Sequence, residues 1–266
     1  MSAIDQRFQE LKADHRKAFI PFVTAGDPSL DATAAALQTL SDAGAAVIEV
    51  GIPYSDPIAD GPVIQASYTR ALDSGTSLQA IFEAIAQIAP KLDCPLACMV
   101  SYSIILRIGL EKFVQSARAA GFAGAIVPDL LVEEAGKLRE ICQDQDFSLI
   151  HLVTPTTPPE RMLEIAKGSS GFVYFVSVTG ITGERNQLPP DLADKVSWLR
   201  DQTDVPVCIG FGISTPEHAR HLAPVADGLI VGSAIVRRLA DGEIQDSDAR
   251  LEEVAHLATE IIAAMH

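Results

Sequence analysis

One unit recurs along this chain: a short apolar run rich in β-branched residues, a turn, then a helical pattern. The apolar runs fall at residues 19–24, 46–50, 96–101, 124–128, 148–153, 171–177, 205–209 and 228–231. Helical spacing follows or separates them at 31–43, 78–89, 110–120, 132–143, 159–167, 192–202, 215–222 and 251–265. Strands that alternate with helices pair in parallel through right-handed crossovers. An open doubly wound sheet could hold this pattern, but eight repeats in 266 residues suit a closed (β/α)8 barrel better. The expectation is an α/β protein, a TIM barrel formed as a single domain over residues 1–266, with an extra helical segment at 60–74 after the second strand. In such barrels the active site lies at the C-terminal ends of the strands.

Charge narrows the partners. The formal net charge of −15 argues against nucleic acid and anionic membrane surfaces. It also repels a phosphorylated ligand at long range, so a phosphate site must be local, made of backbone N–H groups or one placed base. The N-terminal residues are polar and mixed in charge, unlike a cleavable signal. No apolar run reaches the roughly 18 residues of a membrane span. Cys94, Cys98, Cys142 and Cys208 form neither a CxxC nor a zinc spacing, which suggests buried reduced thiols and a cytoplasmic setting.

Two carboxylates stand out against this frame. Glu49 lies near the end of the second apolar run, where a carboxylate is costly to bury unless something uses or satisfies it. Asp60 follows eleven residues later in a loop punctuated by glycine and proline. Both can address one cavity, an arrangement suited to proton transfer. Glycine-bearing turns follow strands six, seven and eight: Thr179-Gly180-Ile181-Thr182-Gly183, Gly210-Phe211-Gly212-Ile213-Ser214 and Gly232-Ser233. Turns of this kind after the last two strands form the usual phosphate site of this barrel class, and Ser233 adds a hydroxyl donor. The polar stretch 180–190 suits a lid or a plain surface loop.

Each signal has a simpler structural reading. Glu49 could be an interior acid held by a tyrosine or the backbone, and Asp60 a turn former. Phe22, Tyr174 and Phe211 could be core aromatics. His218 and His221, three apart on a helix, have no third metal ligand nearby in sequence, and His151 reads as a hydrogen-bonded core residue.

The segments Pro21–Pro28, Glu49–Pro62, Pro155-Thr156-Thr157-Pro158, Val176–Gly183 and Gly210–Ser214 closely resemble the tryptophan synthase alpha subunit family, nearly end to end. The resemblance implies retro-aldol cleavage of indole-3-glycerol phosphate to indole and glyceraldehyde 3-phosphate. It implies no cofactor in this chain. The partner would be a pyridoxal-phosphate-dependent beta subunit, in an alpha2-beta2 heterotetramer. By the resemblance Glu49 and Asp60 are the catalytic acids. The phosphate falls to Gly183, Gly212, Gly232 and Ser233, the indole pocket to Phe22 and Phe211. Tyr174 stands beside the glutamate, Thr182 is a lid threonine that meets Asp60, and Asp56 and Pro57 face the partner. The chain departs from the family at Ser103 and Ile104, where an Asn-Pro pair is usual, and at Leu131, where proline is usual. Both places lie toward the partner, so they bear on subunit coupling.

A Schiff-base aldolase would need a lysine on a barrel strand, and every lysine lies outside the predicted strands. A metal-dependent aldolase would need clustered ligands, which the sequence lacks. A sugar-phosphate isomerase barrel remains an enzymatic alternative. Others are a stand-alone lyase and an activating subunit with weak catalysis.

Overall fold

The computed structural model describes residues 1–57, 60–176, 192–210, 212–240 and 246–266. Its strands are β1 (Ala18–Thr24), β2 (Ile48–Gly51), β3 (Leu96–Met99), β4 (Phe122–Ile126), β5 (Ser148–Ile150), β6 (Leu152–Val153), β7 (Val173–Val176), β8 (Val207–Gly210) and β9 (Gly228–Val231). All pair in parallel, in the order β5-β4-β3-β2-β1-β9-β8-β7-β6. The two ends of this order, β5 and β6, are consecutive pieces of one segment interrupted at His151. The first piece pairs with β4 and the second with β7. The sheet therefore closes on itself, and the expected (β/α)8 barrel is observed with its fifth strand split in two.

The helices are α1 (Ala3–Ala13), α2 (Leu30–Asp42), α3 (Pro62–Asp73), α4 (Leu78–Ile88), α5 (Tyr102–Ile108), α6 (Leu110–Ala119), α7 (Gly136–Asp144), α8 (Pro159–Gly168), α9 (Leu192–Gln202), α10 (Pro216–Leu222), α11 (Ser233–Leu239) and α12 (Ser247–Ala264). The expected extra segment after β2 is α3. Three helices were not legible in the repeat: α1, α5 and α11. Helix α7 begins at Gly136 rather than 132, because residues 131–134 close a turn with Glu134 N–H donating to Leu131 C=O at 3.0 Å. Several helices start on side-chain caps. Ser29, Ser77 and Thr215 each accept a first-turn N–H, an interaction worth about 1 kcal/mol apiece.

Because successive strand residues face opposite ways, the closed sheet makes two cores. Phe19, Val23, Ile48, Val50, Phe175 and Ile209 pack outward against the helices. Ile20, Phe22, Ala97, Ile126, Tyr174, Cys208 and Ile230 fill the interior. Glu49 lies between the outward residues Ile48 and Val50, so the same alternation turns it inward. The N-terminal mouth is closed by α1, whose Ile4, Phe8 and Leu11 join the interior core. Ser2 Oγ lies 2.6 Å from Ser148 Oγ, and Gly171 N–H donates to Asp5 at 2.8 Å, which seats the helix on the barrel floor. The opposite mouth is left for chemistry.

Candidate active site

Glu49 is 0% exposed, and neither carboxylate oxygen has a hydrogen-bond partner. It stands in register with Phe22 on β1 and Ala97 on β3. Burial, and then the charge of Asp60, hold its pKa well above the usual carboxylate range. A group kept neutral in this way can give a proton at neutral pH.

Asp60 reaches the same mouth from the loop that starts α3. Its N–H donates to Pro57 C=O at 3.1 Å, and Gln65 Nε2 donates to Asp60 C=O at 2.9 Å and Pro57 C=O at 3.2 Å. Gly61 then caps α3 and Pro62 sets its first turn. The sequence places Asp60 in a loop punctuated by glycine and proline, and the structure buries it to 7% exposure. Burial pushes its pKa up to about 6, which still leaves it mostly ionised at neutral pH.

The two acids line one cavity at the C-terminal ends of the strands, with Phe22, Met99 and Tyr174. Gly212, Ile213 and Ser214 after β8, and Gly232, Ser233 and Ala234 after β9, line it from the other side. About 760 Å³ of space lies between these residues, part of it open to solvent. Gly232 is the N-cap of α11, whose first N–H groups have no intrahelical acceptor. Gly210 admits Tyr174: a Cβ there would lie 2.4 Å from the tyrosine Oη. The Tyr174 phenol is buried and feels first the charge of Glu49, which with burial keeps it protonated.

Of the residues singled out in the sequence, Phe22, Glu49, Asp60, Tyr174, Gly212, Gly232 and Ser233 thus share one cavity. Thr182, Gly183 and Phe211 lie outside the described residues, as does the segment 180–190. Sequence reasoning missed Arg237, which lines the cavity one turn beyond Ser233. The available signal was its i+4 spacing from Ser233, hidden because α11 itself was not foreseen. Arg237 adds a basic side chain to a lining that otherwise carries two acids.

Asp56 lies outside this cavity, on a neighbouring groove with Tyr54, Ser103, Ile104, Arg107 and Asp129. Asp129 ties the ends of β3 and β4 together, accepting from Ser101 Oγ and Tyr102 N–H, each at 2.8 Å. Leu106 and Leu131, in the segments that follow β3 and β4, are large apolar residues exposed at 57% and 59%. Among the described residues no three metal-capable side chains cluster, His218 and His221 included. All four cysteines are buried and unpaired, as expected. No helix among the described residues is long and apolar enough to cross a membrane.

The profile of the family described as "Tryptophan synthase alpha chain" matches residues 8–266. A tryptophan synthase alpha chain from Rhodopirellula baltica is 59% identical over 244 residues, covering 91% of this chain and 88% of the relative. One from Trichodesmium erythraeum is 43% identical over the full length of both. Among solved structures, a tryptophan synthase from M. tuberculosis superposes with a TM-score of 0.87 at 30% identity, covering 100% of each chain. An alpha chain from Legionella pneumophila superposes with a TM-score of 0.88 at 32% identity, covering 100% of this chain and 97% of that one.

Proposed function

The chain belongs to the tryptophan synthase alpha chain family, and we propose that its cavity cleaves indole-3-glycerol phosphate to indole and glyceraldehyde 3-phosphate. Membership makes it a lyase of tryptophan biosynthesis that works with a beta subunit. The observation that carries the specific reaction is the convergence of Glu49 and Asp60 on one cavity, faced by the glycine turns after β8 and β9.

The reaction requires a proton delivered to indole C3 and a proton removed from the side-chain hydroxyl. The hydroxyl electrons become the aldehyde C=O, the carbon–carbon bond breaks, and its electrons return to the ring. One proton enters and one leaves, so a single carboxyl group can serve both steps. Glu49, held neutral on a rigid strand, gives the first proton and as carboxylate takes the second. Protonation at C3 makes the ring cationic. Ionised Asp60 accepts the indole N–H and stabilises that charge. Phe22 and Tyr174 flank the ring, with Phe211 completing the pocket. The phosphate sits on the N–H groups about Gly183, Gly212 and Gly232, with Ser233 and the charge of Arg237. Thr182 meets Asp60 when the lid closes.

None of these steps draws on a cofactor of this chain; pyridoxal phosphate is assigned to the partner beta subunit, in an alpha2-beta2 assembly. Asp56, Pro57 and the face bearing Ser103, Ile104 and Leu131 form the surface toward it. The test is indole release from indole-3-glycerol phosphate while a purified beta subunit is titrated in. A large rate increase supports the coupled enzyme. A flat response with steady indole release points to a stand-alone lyase, and no indole at any beta concentration refutes the reaction.

A further inference from the structure

Among the described residues, five buried side-chain atoms lack a hydrogen-bond partner, and three of them belong to two residues of the barrel interior: both oxygens of Glu49 on β2 and the hydroxyl of Tyr68 on α3. Tyr68 is 1% exposed and belongs to the interior core. Its phenol lies over β2. A Cβ on Gly51 would be 2.4 Å from the Phe22 ring and 2.8 Å from the Tyr68 Oη, so glycine there admits both rings. Glu49 and Gly51 are alternate residues of one strand and face the interior together. The hydroxyl therefore stands one interior position from an acid that has acceptors and no donor.

The ring is fixed where it stands. Thr24 Oγ1 and Ser67 Oγ, the residue before Tyr68, meet at 2.6 Å, and Tyr54 packs on the ring with centroids 5.6 Å apart. Phenylalanine would fill this volume without burying an unpaired hydroxyl, which costs free energy. Burial and the charges of Asp60, Tyr54 and Glu49 all keep the phenol protonated, so it retains a hydrogen to donate.

We propose that Tyr68 is a positioning residue for Glu49: once that acid has passed its proton to the substrate, its side chain turns toward the fixed phenol and the carboxylate accepts the phenolic O–H, a bond not formed in this structure. The assignment rests on the proton-transfer role of Glu49 proposed above. While Glu49 is neutral it holds its own proton and needs no donor. After transfer it is a carboxylate in an apolar chamber, and one charge-assisted hydrogen bond is what that state lacks. The other ionisable groups that feel Glu49 are Asp60 from the loop, Tyr174 from β7 and Cys208 from β8. The acid opposes its ionisation, as does burial.

The test is Tyr68→Phe in the full chain with saturating beta subunit, following indole release across the pH range. Losing an unpaired hydroxyl leaves packing intact, so folding is not at risk, and the thermal midpoint serves as the control. The expected result is a fall in kcat of about tenfold with KM nearly unchanged. The alkaline limb of the kcat profile moves to higher pH, because a carboxylate without its donor holds a proton longer. A variant whose kcat and alkaline limb match wild type overturns the role of Tyr68 and leaves the function standing. A wild-type protein that releases no indole overturns both.

Discussion

Arg70 grips Asp27 with two hydrogen bonds, from Nε to Oδ1 at 2.9 Å and from Nη2 to Oδ2 at 2.7 Å. The aspartate lies in the loop after β1 and its side chain is 3% exposed; the arginine comes from α3. This fork ties the first βα loop, and the Thr24–Ser67 contact ties the end of β1, to the helix whose start presents Asp60. A bidentate pair of this kind fixes angle as well as distance.

Arg70→Met keeps the apolar stem and removes the fork. It leaves a buried aspartate unpaired, so the fold should lose about 2 kcal/mol, less than for a fully buried pair because Arg70 is 44% exposed. Asp60 loses its anchored start as well, so kcat/KM should drop about tenfold. Urea unfolding and steady-state kinetics on one preparation check both. Unchanged kcat/KM in a destabilised protein would show that α3 needs no clamp.

Glu49 sets function against stability. Its pKa is raised on folding, so between the unfolded and folded values the native state binds more protons, and stability falls as pH rises through that window. Glu49→Met should therefore abolish indole release. It should also unfold at higher urea than wild type at alkaline pH, by about 1 kcal/mol or more. The difference should shrink as pH falls below the ordinary carboxylate range. Glu49→Gln, which keeps the shape and removes the proton carrier, should be equally inactive. Retained indole release in either variant refutes the catalytic assignment.

Asp60 predicts the acid limb. With its pKa at about 6, the ionised form that accepts the indole N–H disappears as pH falls through that value, so kcat/KM should decline there. Asp60→Asn should lower kcat/KM by roughly a hundredfold or more and flatten that limb. A limb that persists unchanged in the asparagine variant would assign it to another group.

The barrel was legible because its pattern is written in the strands: apolar runs long enough to bury both faces, spaced by helices. The inward aim of Glu49 follows from strand alternation alone. What escaped was structure made by few residues or by position. Helix α1 hides its three core positions, Ile4, Phe8 and Leu11, among charges. Helices α5 and α11 have only seven residues each and lack the first-turn proline that marks the start of α10, which is as short. With α11 unseen, Arg237 could not be placed. The burial of Asp60 could not be read from its loop, because it comes from the barrel mouth beneath it. The pairing of Arg70 with Asp27 spans 43 residues and depends on where α3 lies on the barrel.

His151 gives a prediction with a change of sign. It interrupts the fifth strand, is 2% exposed, and donates to Leu130 C=O while its Nε2 has no partner. Burial, then the charge of Arg139, lowers its pKa to about 4 from 6.5. Between those values the unfolded chain binds more protons than the native one, so stability rises with pH across the window. The native state should lose about 3 kcal/mol through this group as the solution is acidified across it. His151→Phe removes that titration and also the donor to Leu130. At neutral pH the lost hydrogen bond makes the variant less stable by about 1 kcal/mol. At acid pH the wild type must force a charge into an apolar site, and the variant becomes the more stable protein. Urea midpoints of the two proteins should therefore cross as pH is lowered below the ordinary histidine range. Parallel curves would mean that His151 keeps its proton on folding and that its Nε2 finds an acceptor in solution.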